Sequence, residues 1–405
     1  MKKILISAYA CEPFKGSEQA VGWNIVLGLA KTNEVHVITR ANNKEFIEPN
    51  IPKEIREHLL FHYYDSEIFK KLKQKEKGVY LYYIAWQFGI MGLAKRVIKH
   101  YGIEYAIHLT MGSIWMPTFF AFLPAKFIWG PIGGGEAIPA SFIKTLSIRG
   151  QLLQYFRYIL KYSIYINPLI LFSAIKAETI FYRTEMTRDL IPKQLQKKCI
   201  FLADGAIEQS IINCHVRKDR NDNVVKFVAT SRFIHTKNIV TIIEAMRLVP
   251  SDLNIMLTLV GSGPEEKRIK KMISEYQLEN KIEHISSVPR EQVFKILENS
   301  DVYLFASLKE ACNLSLLEAM AIGLPVVCLN WTGMALSTDE SCAIRLKPSN
   351  PTQMPRDMAD AIIKLAKNRE MRYSMGKAAR DRISKEFNWQ TKIDTIDRAL
   401  NKEGH

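Results

Sequence analysis

Four charged side chains carry most of the chemistry this sequence could do. Glu310 and Glu318 lie eight residues apart in KEACNLSLLEAMAIGLPVV (309–327), and Arg232 and Lys237 fall in SRFIHTKNI (231–239). Arginine offers a planar fork of donors and lysine a point charge, and both suit a phosphate or diphosphate. Asn313 is placed to cap a helix that begins near Leu314. The first amides of that helix, near Ser315 and Leu316, have no intrahelical partners and stand at the positive end of its dipole, a second anion site. One turn further in, an ionised Glu318 is acceptor-only and can take two hydrogen bonds from a vicinal diol such as a ribose. Glu310, in the preceding loop, could face a sugar held beyond the phosphates. The same residues admit a plainer account. Acids near helix starts are favoured by the dipole alone, and Arg232 and Lys237 each read as a solvent-facing loop cation.

These side chains form a site only if the fold brings strand ends together. Strand-like runs are KILISAY, EVHVITR, YAIHLT, KFIWGPIGGG, TIFYRT and CIFLADG, with helical patterns over 17–31 and 80–100. After the polar NCHVRKDRNDN (213–223) the alternation restarts. VVKFVATS, NIMLTLVGSG, KIEHIS, DVYLFAS and PVVCLN read as strands, 238–248, 264–276, 290–298 and 314–322 as helices, and the tail from about 354 as mostly helical. Repeated βα units make parallel sheets. The expectation is an α/β protein with two Rossmann-like, doubly wound domains, 1–212 and 224–385, joined by a linker at 213–223 and followed by a C-terminal helix at 386–405. In such sheets ligands bind beyond the carboxyl ends of the strands, where Arg232, Lys237 and Glu310 fall. VGSGPEE (260–266) is another strand-to-helix turn, in which Gly261 and Gly263 permit close backbone approach. A helix start at Pro264 explains the same turn.

Bulk properties narrow the classes. A chain of 405 residues is too long for one core, and 47% apolar with 24% charged residues fits a globular protein. The six cysteines show no metal-ligand spacing and no disulfide framework, which fits a reducing cytoplasm. No clean run of about 20 apolar residues predicts a membrane span, and the N-terminal MKKILISAYACEPFKG reads as a first strand rather than a signal peptide. The net charge of +15 calls for anionic partners, yet no nucleic-acid-binding motif is present and nucleic acid is not expected. Residues 141–174 are aromatic and aliphatic with Lys144, Arg149, Arg157 and Lys161 and no acid. Such a stretch can lie on an anionic membrane surface or pack as two helices with a solvated basic face. The basic cluster FKKLKQKEKG (69–78) reads as a solvated loop or helix end.

Taken together, Glu310 to Glu318 with LLEAMAIGLPVV, and Arg232 with Lys237 five residues on, resemble the C-terminal half of GT-B glycosyltransferases of glycosyltransferase family 4. The likeness runs over about 226–330 and extends to FNW (387–389), in a tail that in this family often crosses back to the first domain. AYACEPFKGSEQAVGWN, IHLTMGS and FIWGPIGGGEAIP are similar to the N-terminal half of a subset of these enzymes. The chain departs from the pattern at Ser231 and Ser286, where glycine is usual, and at Cys312 and Asn313, where an aromatic and a glycine are commoner.

The resemblance implies a GT-B fold with the two domains facing a central cleft. It implies a retaining, metal-independent, hexosyltransferase-type glycosyltransferase that uses a nucleoside diphosphate sugar and no cofactor. It casts His108, Glu310, Arg232 and Lys237 as catalytic, with His108 approaching the donor sugar; the plainer account of His108 is a core histidine of a strand. Glu318, Asn313, Leu314, Ser315, Leu316, Gly261, Gly263, Ser287 and Val288 would hold the donor. Glu12, Gly16, Gly133, Gly134, Gly135 and Glu136 would lie on the acceptor side. The acceptor would be a glycan or polyprenyl-linked hydroxyl in bacterial surface polysaccharide assembly, reached from the cytoplasm or from the inner face of the cell membrane. No Asp-x-Asp pair occurs, which fits metal independence. The alternatives are a nucleotide-sugar epimerase or hydrolase of the same fold and a non-catalytic nucleotide-sugar-binding protein.

Overall fold

The computed structural model describes residues 1–16, 18–66, 78–160, 167–218 and 223–401. Most of the 69–78 basic cluster, Lys161, the 219–222 part of the expected linker and residues 402–405 of the expected C-terminal helix lie outside the described residues. The chain forms two compact units, one of Met1–Gly135, Ile159–Gly205 and Trp389–His405, the other of Glu136–Tyr158 and Ala206–Asn388.

The first unit is built on seven strands, β1 (Lys3–Ser7), β2 (Glu34–Thr39), β3 (Leu59–Tyr63), β4 (Tyr105–His108), β5 (Lys126–Ile132), β6 (Ala177–Tyr182) and β7 (Cys199–Phe201). They pair in the order β3-β2-β1-β4-β5-β6-β7, all parallel. Parallel sheets are covered on both faces, so their strands read as apolar runs. Ile4 and Ile6 accordingly join one core cluster and Leu5 the other. Helix α1 (Glu18–Leu29) covers the first face. Helices α2 (Val79–Gly89) and α3 (Met91–Tyr101) supply Tyr82, Tyr83, Trp86 and Val97 to the second. The C-terminal helix, Trp389–Leu400, packs in this unit. Ile393 lies against Gly28 of α1, where an added Cβ would meet Ile393 Cδ1 at 1.9 Å. Asn33 donates to Asp397 at 2.9 Å, and Lys392 donates to the Ala203 carbonyl at 2.7 Å.

The second unit has six strands, β8 (Val225–Thr230), β9 (Ile255–Val260), β10 (Ile282–Ile285), β11 (Val302–Phe305), β12 (Val326–Leu329) and β13 (Ala343–Leu346), in the order β10-β9-β8-β11-β12-β13. All its pairs are parallel. In both sheets the order reverses beside the first strand, at β1/β4 and at β8/β11. Such a switch point opens a crevice above the strand ends.

Two short strands, β3 and β13, escape the apolar-run pattern. Each is an edge strand, and its alternation is too brief to stand out from neighbouring turns. Residues 213–218 are tied to the second unit: the amides of Arg217 and Lys218 donate to the carbonyls of Ile322 and Glu298 at 2.9 and 2.8 Å. Residues 136–145 also pack there. Trp331 Nε1 donates to the Ala137 carbonyl at 2.8 Å, and Thr145 Oγ1 lies 3.1 Å from His235 Nε2.

Candidate donor site

The loops after β8, β9 and β10 and the start of the helix after β11 enclose a cavity of about 500 Å³. Thr230, Ser231, Arg232 and Lys237 line it after β8, Val260 to Ser262 after β9, and Ser286 to Val288 after β10. Arg290 and Val293 come from α4 (Arg290–Glu298), and Asn313, Ser315 and Glu318 from the cap and first turns of α5 (Leu314–Ile322). The cavity stands at the β8/β11 switch point. Three of its lining residues are cationic and one is a carboxylate, so it favours an anion that also presents donors to Glu318.

Asn313 is the N-cap. Its Oδ1 accepts from the amides of Ser315 and Leu316 at 3.0 and 3.3 Å, and Ser315 Oγ also donates to it at 2.6 Å. The two amides expected to be open to an anion are therefore taken by a neutral side chain. An anion would bind them by replacing that carboxamide or sharing the donors with it. The Asn313 side-chain oxygen takes the place of the acceptor an anion would bring. Gly323 closes the helix at φ 98°, with its amide and that of Leu324 turned back onto the last carbonyls.

Lys237 and Glu310 meet. The ammonium donates to Glu310 Oε1, which also accepts from Ser307 Oγ at 2.5 Å. Thr236 locks the two loops together, its carbonyl accepting from the Leu308 amide at 2.8 Å and from Ser307 Oγ at 3.1 Å. Glu310 touches the cavity through Lys237 rather than lining it. Among the described residues the Arg232 guanidinium has no side-chain partner and is exposed.

Glu318 is 9% exposed, and burial raises its pKa while the facing Arg290 works against that rise. Arg290 donates to Glu318 Oε1 from Nε at 3.1 Å and from Nη2 at 2.6 Å. The sequence reading missed Arg290. It lies 28 residues from its partner on another helix, so no local spacing connects them. Thr230, Ser231, Ser262, Ser286 and Val293 complete the lining, and the Ser231 hydroxyl is buried with no hydrogen-bond partner among the described residues.

Of the expected donor residues, Gly261, Ser287 and Val288 line the cavity, whereas Leu314, Leu316 and Gly263 do not. Leu316 is core, 1% exposed. Gly263 has φ +154°, and a Cβ there would lie 2.5 Å from the Phe233 carbonyl oxygen, so this glycine lets two loops pass.

The first unit gathers its own strand-end residues. His108 ends β4 and is 3% exposed. Its Nε2 lies 3.1 Å from Tyr83 OH and its Nδ1 2.9 Å from Thr118 Oγ1. Both ring nitrogens are occupied within the unit, and burial lowers its pKa to about 4. Gly133, Gly134 and Gly135 are held by backbone and side-chain bonds. Trp115 Nε1 donates to the Gly134 carbonyl at 2.7 Å, and the Gly135 amide donates to Thr187 Oγ1 at 3.1 Å. Glu136 is 7% exposed and groups with the second unit. Glu12 pairs with Lys15 at 3.7 Å, and Gly16 has open space where a Cβ would go. Arg183, which the sequence reading passed over, anchors this end, bound to Glu18 at 2.8 Å and Asp204 at 2.7 Å.

His108 makes folding pH-dependent. Above its ordinary pKa of 6.5 both folded and unfolded chains hold it neutral, and stability does not depend on it. Below that value the unfolded chain takes up a proton that the folded one refuses until about pH 4, so stability falls as pH falls across that window, by at most about 1.4 kcal/mol per pH unit. His62 is also lowered to about 4, by burial and by His36 beside it, and adds to the slope. Thermal midpoints between neutral pH and pH 5 are expected to fall less steeply in His108→Gln than in the unmodified chain. Parallel slopes would contradict the assignment.

Two parallel doubly wound units with a switch-point cavity are the GT-B architecture, and solved glycosyltransferases of that fold superpose on the chain. A Rickettsia africae glycosyltransferase matches with a TM-score of 0.62 at 15% identity, covering 99% of this chain and 100% of that one. Anabaena HepE in complex with UDP matches with a TM-score of 0.62 at 13% identity, covering 100% of both chains. Residues 213–382 match the family described as glycosyl transferases group 1. Among curated relatives, an uncharacterized glycosyltransferase of Methanocaldococcus jannaschii is 32% identical over 180 residues, 44% of this chain and 45% of that protein. The amylovoran biosynthesis glycosyltransferase AmsK of Erwinia amylovora is 26% identical over 189 residues, 45% of this chain and 46% of that protein. The chain thus spans about half the length of the curated relatives it matches. Among the described residues no helix is long and apolar enough to cross a membrane.

Proposed function

We infer that this chain is a retaining glycosyltransferase of glycosyltransferase family 4 that moves a hexose from a nucleoside diphosphate to a hydroxyl of a glycan or polyprenyl-linked acceptor in polysaccharide assembly. The observation that carries the reading is the switch-point cavity, with Arg232 and Lys237 on one side and Glu318 on the other. In this reading the base lies along Ser286 to Val288, the ribose diol reaches Glu318, and the diphosphate meets Arg232, Lys237 and the α5 N-terminus. Arg290 must yield part of Glu318 to the ribose or hold the carboxylate for it. HepE, solved with UDP, supports a uridine diphosphate donor, and AmsK, named for amylovoran biosynthesis, supports a place in polysaccharide assembly.

In the transfer the anomeric carbon–oxygen bond to the diphosphate breaks, and a bond to the acceptor oxygen forms on the same face. The acceptor proton passes to the departing phosphate oxygen. Charge grows on the diphosphate as the bond breaks, and preorganised cations stabilise it there more than in the ground state. Arg232 and Lys237 supply that charge without a metal. Glu310 holds Lys237 and faces the sugar.

A thermal-shift titration with uridine, guanosine and adenosine diphosphate sugars tests the reading. One of them is expected to raise the melting temperature, by about 2.7 kcal/mol of added stability at a hundredfold excess over Kd, and Glu318→Ala is expected to remove most of that shift. Incubation with that donor and a glycan or polyprenyl-phosphate acceptor should give a glycosylated product of retained anomeric configuration. No shift with any of the three would sink the reading. Sugar release to water, unaltered by acceptor, would favour a hydrolase.

A further inference from the structure

The helix spanning Ile148–Leu160 is inside out. Its Gln154 is buried, 7% exposed, while Ile148, Leu152, Tyr155, Phe156 and Ile159 are all at least half exposed, up to 79% at Ile148. At about 100° per residue these five fall within roughly one third of the helix circumference. A helix facing only water places its residues the other way round. Scattered apolar residues on a surface need no explanation, but a contiguous set on one helix marks a surface that something apolar covers.

Charge identifies what covers it. Arg149 stands at one edge of the apolar arc, Arg157 further round on the same side, and Lys144 precedes the helix, all exposed. Residues 137–177 contain no aspartate or glutamate. A second copy of the chain is a poor match, because a two-fold contact would set arginines against arginines with no carboxylate from this stretch to meet them. An anionic bilayer surface matches both features, taking the aliphatic and aromatic side chains at the acyl boundary and the cations at the headgroups.

We propose that the Ile148–Leu160 helix lies flat on an anionic membrane surface, inserting Ile148, Leu152, Tyr155, Phe156 and Ile159 between headgroups contacted by Arg149 and Arg157. The proposal does not depend on the donor reading and can fail separately from it.

Flotation with phosphatidylcholine vesicles, with and without phosphatidylglycerol, tests it on the full chain. The chain is expected to float with the anionic vesicles and to be released as salt is raised. Leu152→Ser with Phe156→Ser should weaken binding roughly tenfold or more, and Arg149→Gln with Arg157→Gln should remove the preference for anionic lipid. The melting temperature and its response to nucleotide sugar, measured without lipid, should be unchanged in both variants. That control separates a lost docking face from a misfolded chain. Failure of the unmodified chain to float, or equal flotation of the serine variant, overturns the proposal. So does a dimer in light scattering that the serine variant dissociates, which would assign the face to a second copy.

Discussion

Lys237→Met is expected to lower kcat/KM for the proposed sugar transfer by about 10²–10³-fold, the cost typical of removing one preorganised donor from a developing negative charge. Methionine keeps the side-chain stem that runs over the Phe305 ring, 5.6 Å from the ammonium to the ring centroid, so packing is largely retained. What disappears is the charge, and with it the partner of Glu310. The two side chains are 15% and 11% exposed. Removing one member of such a pair leaves a largely buried carboxylate that, among the described residues, keeps only the Ser307 hydroxyl as a side-chain partner, at a cost of about 3–5 kcal/mol. The variant should therefore melt earlier as well as turn over slowly. Adding Glu310→Gln separates the two effects. The double variant should recover much of the melting temperature, because no unpaired charge remains, while transfer stays slow. Transfer by Lys237→Met within threefold of the unmodified chain would remove Lys237 from the mechanism.

Gly261→Ala should damage the site through the backbone. Gly261 has φ +147°, a conformation that residues with a Cβ rarely adopt, and its Cβ would sit 1.8 Å from the Ser231 carbonyl oxygen. Backbone strain of this kind costs about 1–3 kcal/mol before the clash is relieved. Relief requires the β9 loop or the β8 loop to move, and both line the cavity. The expected result is a melting temperature lower by several degrees, roughly 2–4 °C per kcal/mol for a unit of this size, together with loss of the nucleotide-sugar shift. Gly16→Ala is the matched control, since nothing lies within 4 Å of the added carbon. If Gly261→Ala melts and binds like Gly16→Ala, the two loops are not packed as described.

What was legible in the sequence is what local chemistry dictates. Long apolar runs such as VVKFVATS and PVVCLN, bounded by turn residues, pointed to buried parallel strands, and Asn313 before LSLLEAM to a cap. Arg232, Lys237 and Glu318 were readable because each follows a strand or opens a helix at the carboxyl edge of the sheet. The Arg290 fork on Glu318 was not readable, because it joins two helices that only the folded unit brings together. The effect of the asparagine cap was also missed: the same geometry that marks a helix start as an anion site had already filled it with Asn313 Oδ1. His108 illustrates the limit of position as evidence. A strand end is where ligands bind, but Tyr83 and Thr118 reach this imidazole from inside the unit and occupy both of its nitrogens. The association of 136–145 with the second unit rests on Trp331 and His235, 194 and 90 residues away along the chain.

The helix at Trp389–Leu400 is sewn into the first sheet's layer through Gly28, Asn33 and Ala203, although the whole second unit is translated before it. During synthesis, the portion that emerges first is therefore completed last. It must wait, with the Gly28 face of α1 uncovered, until residue 400 has left the ribosome. A ribosome stalled anywhere between 206 and 388 would display that uncovered surface.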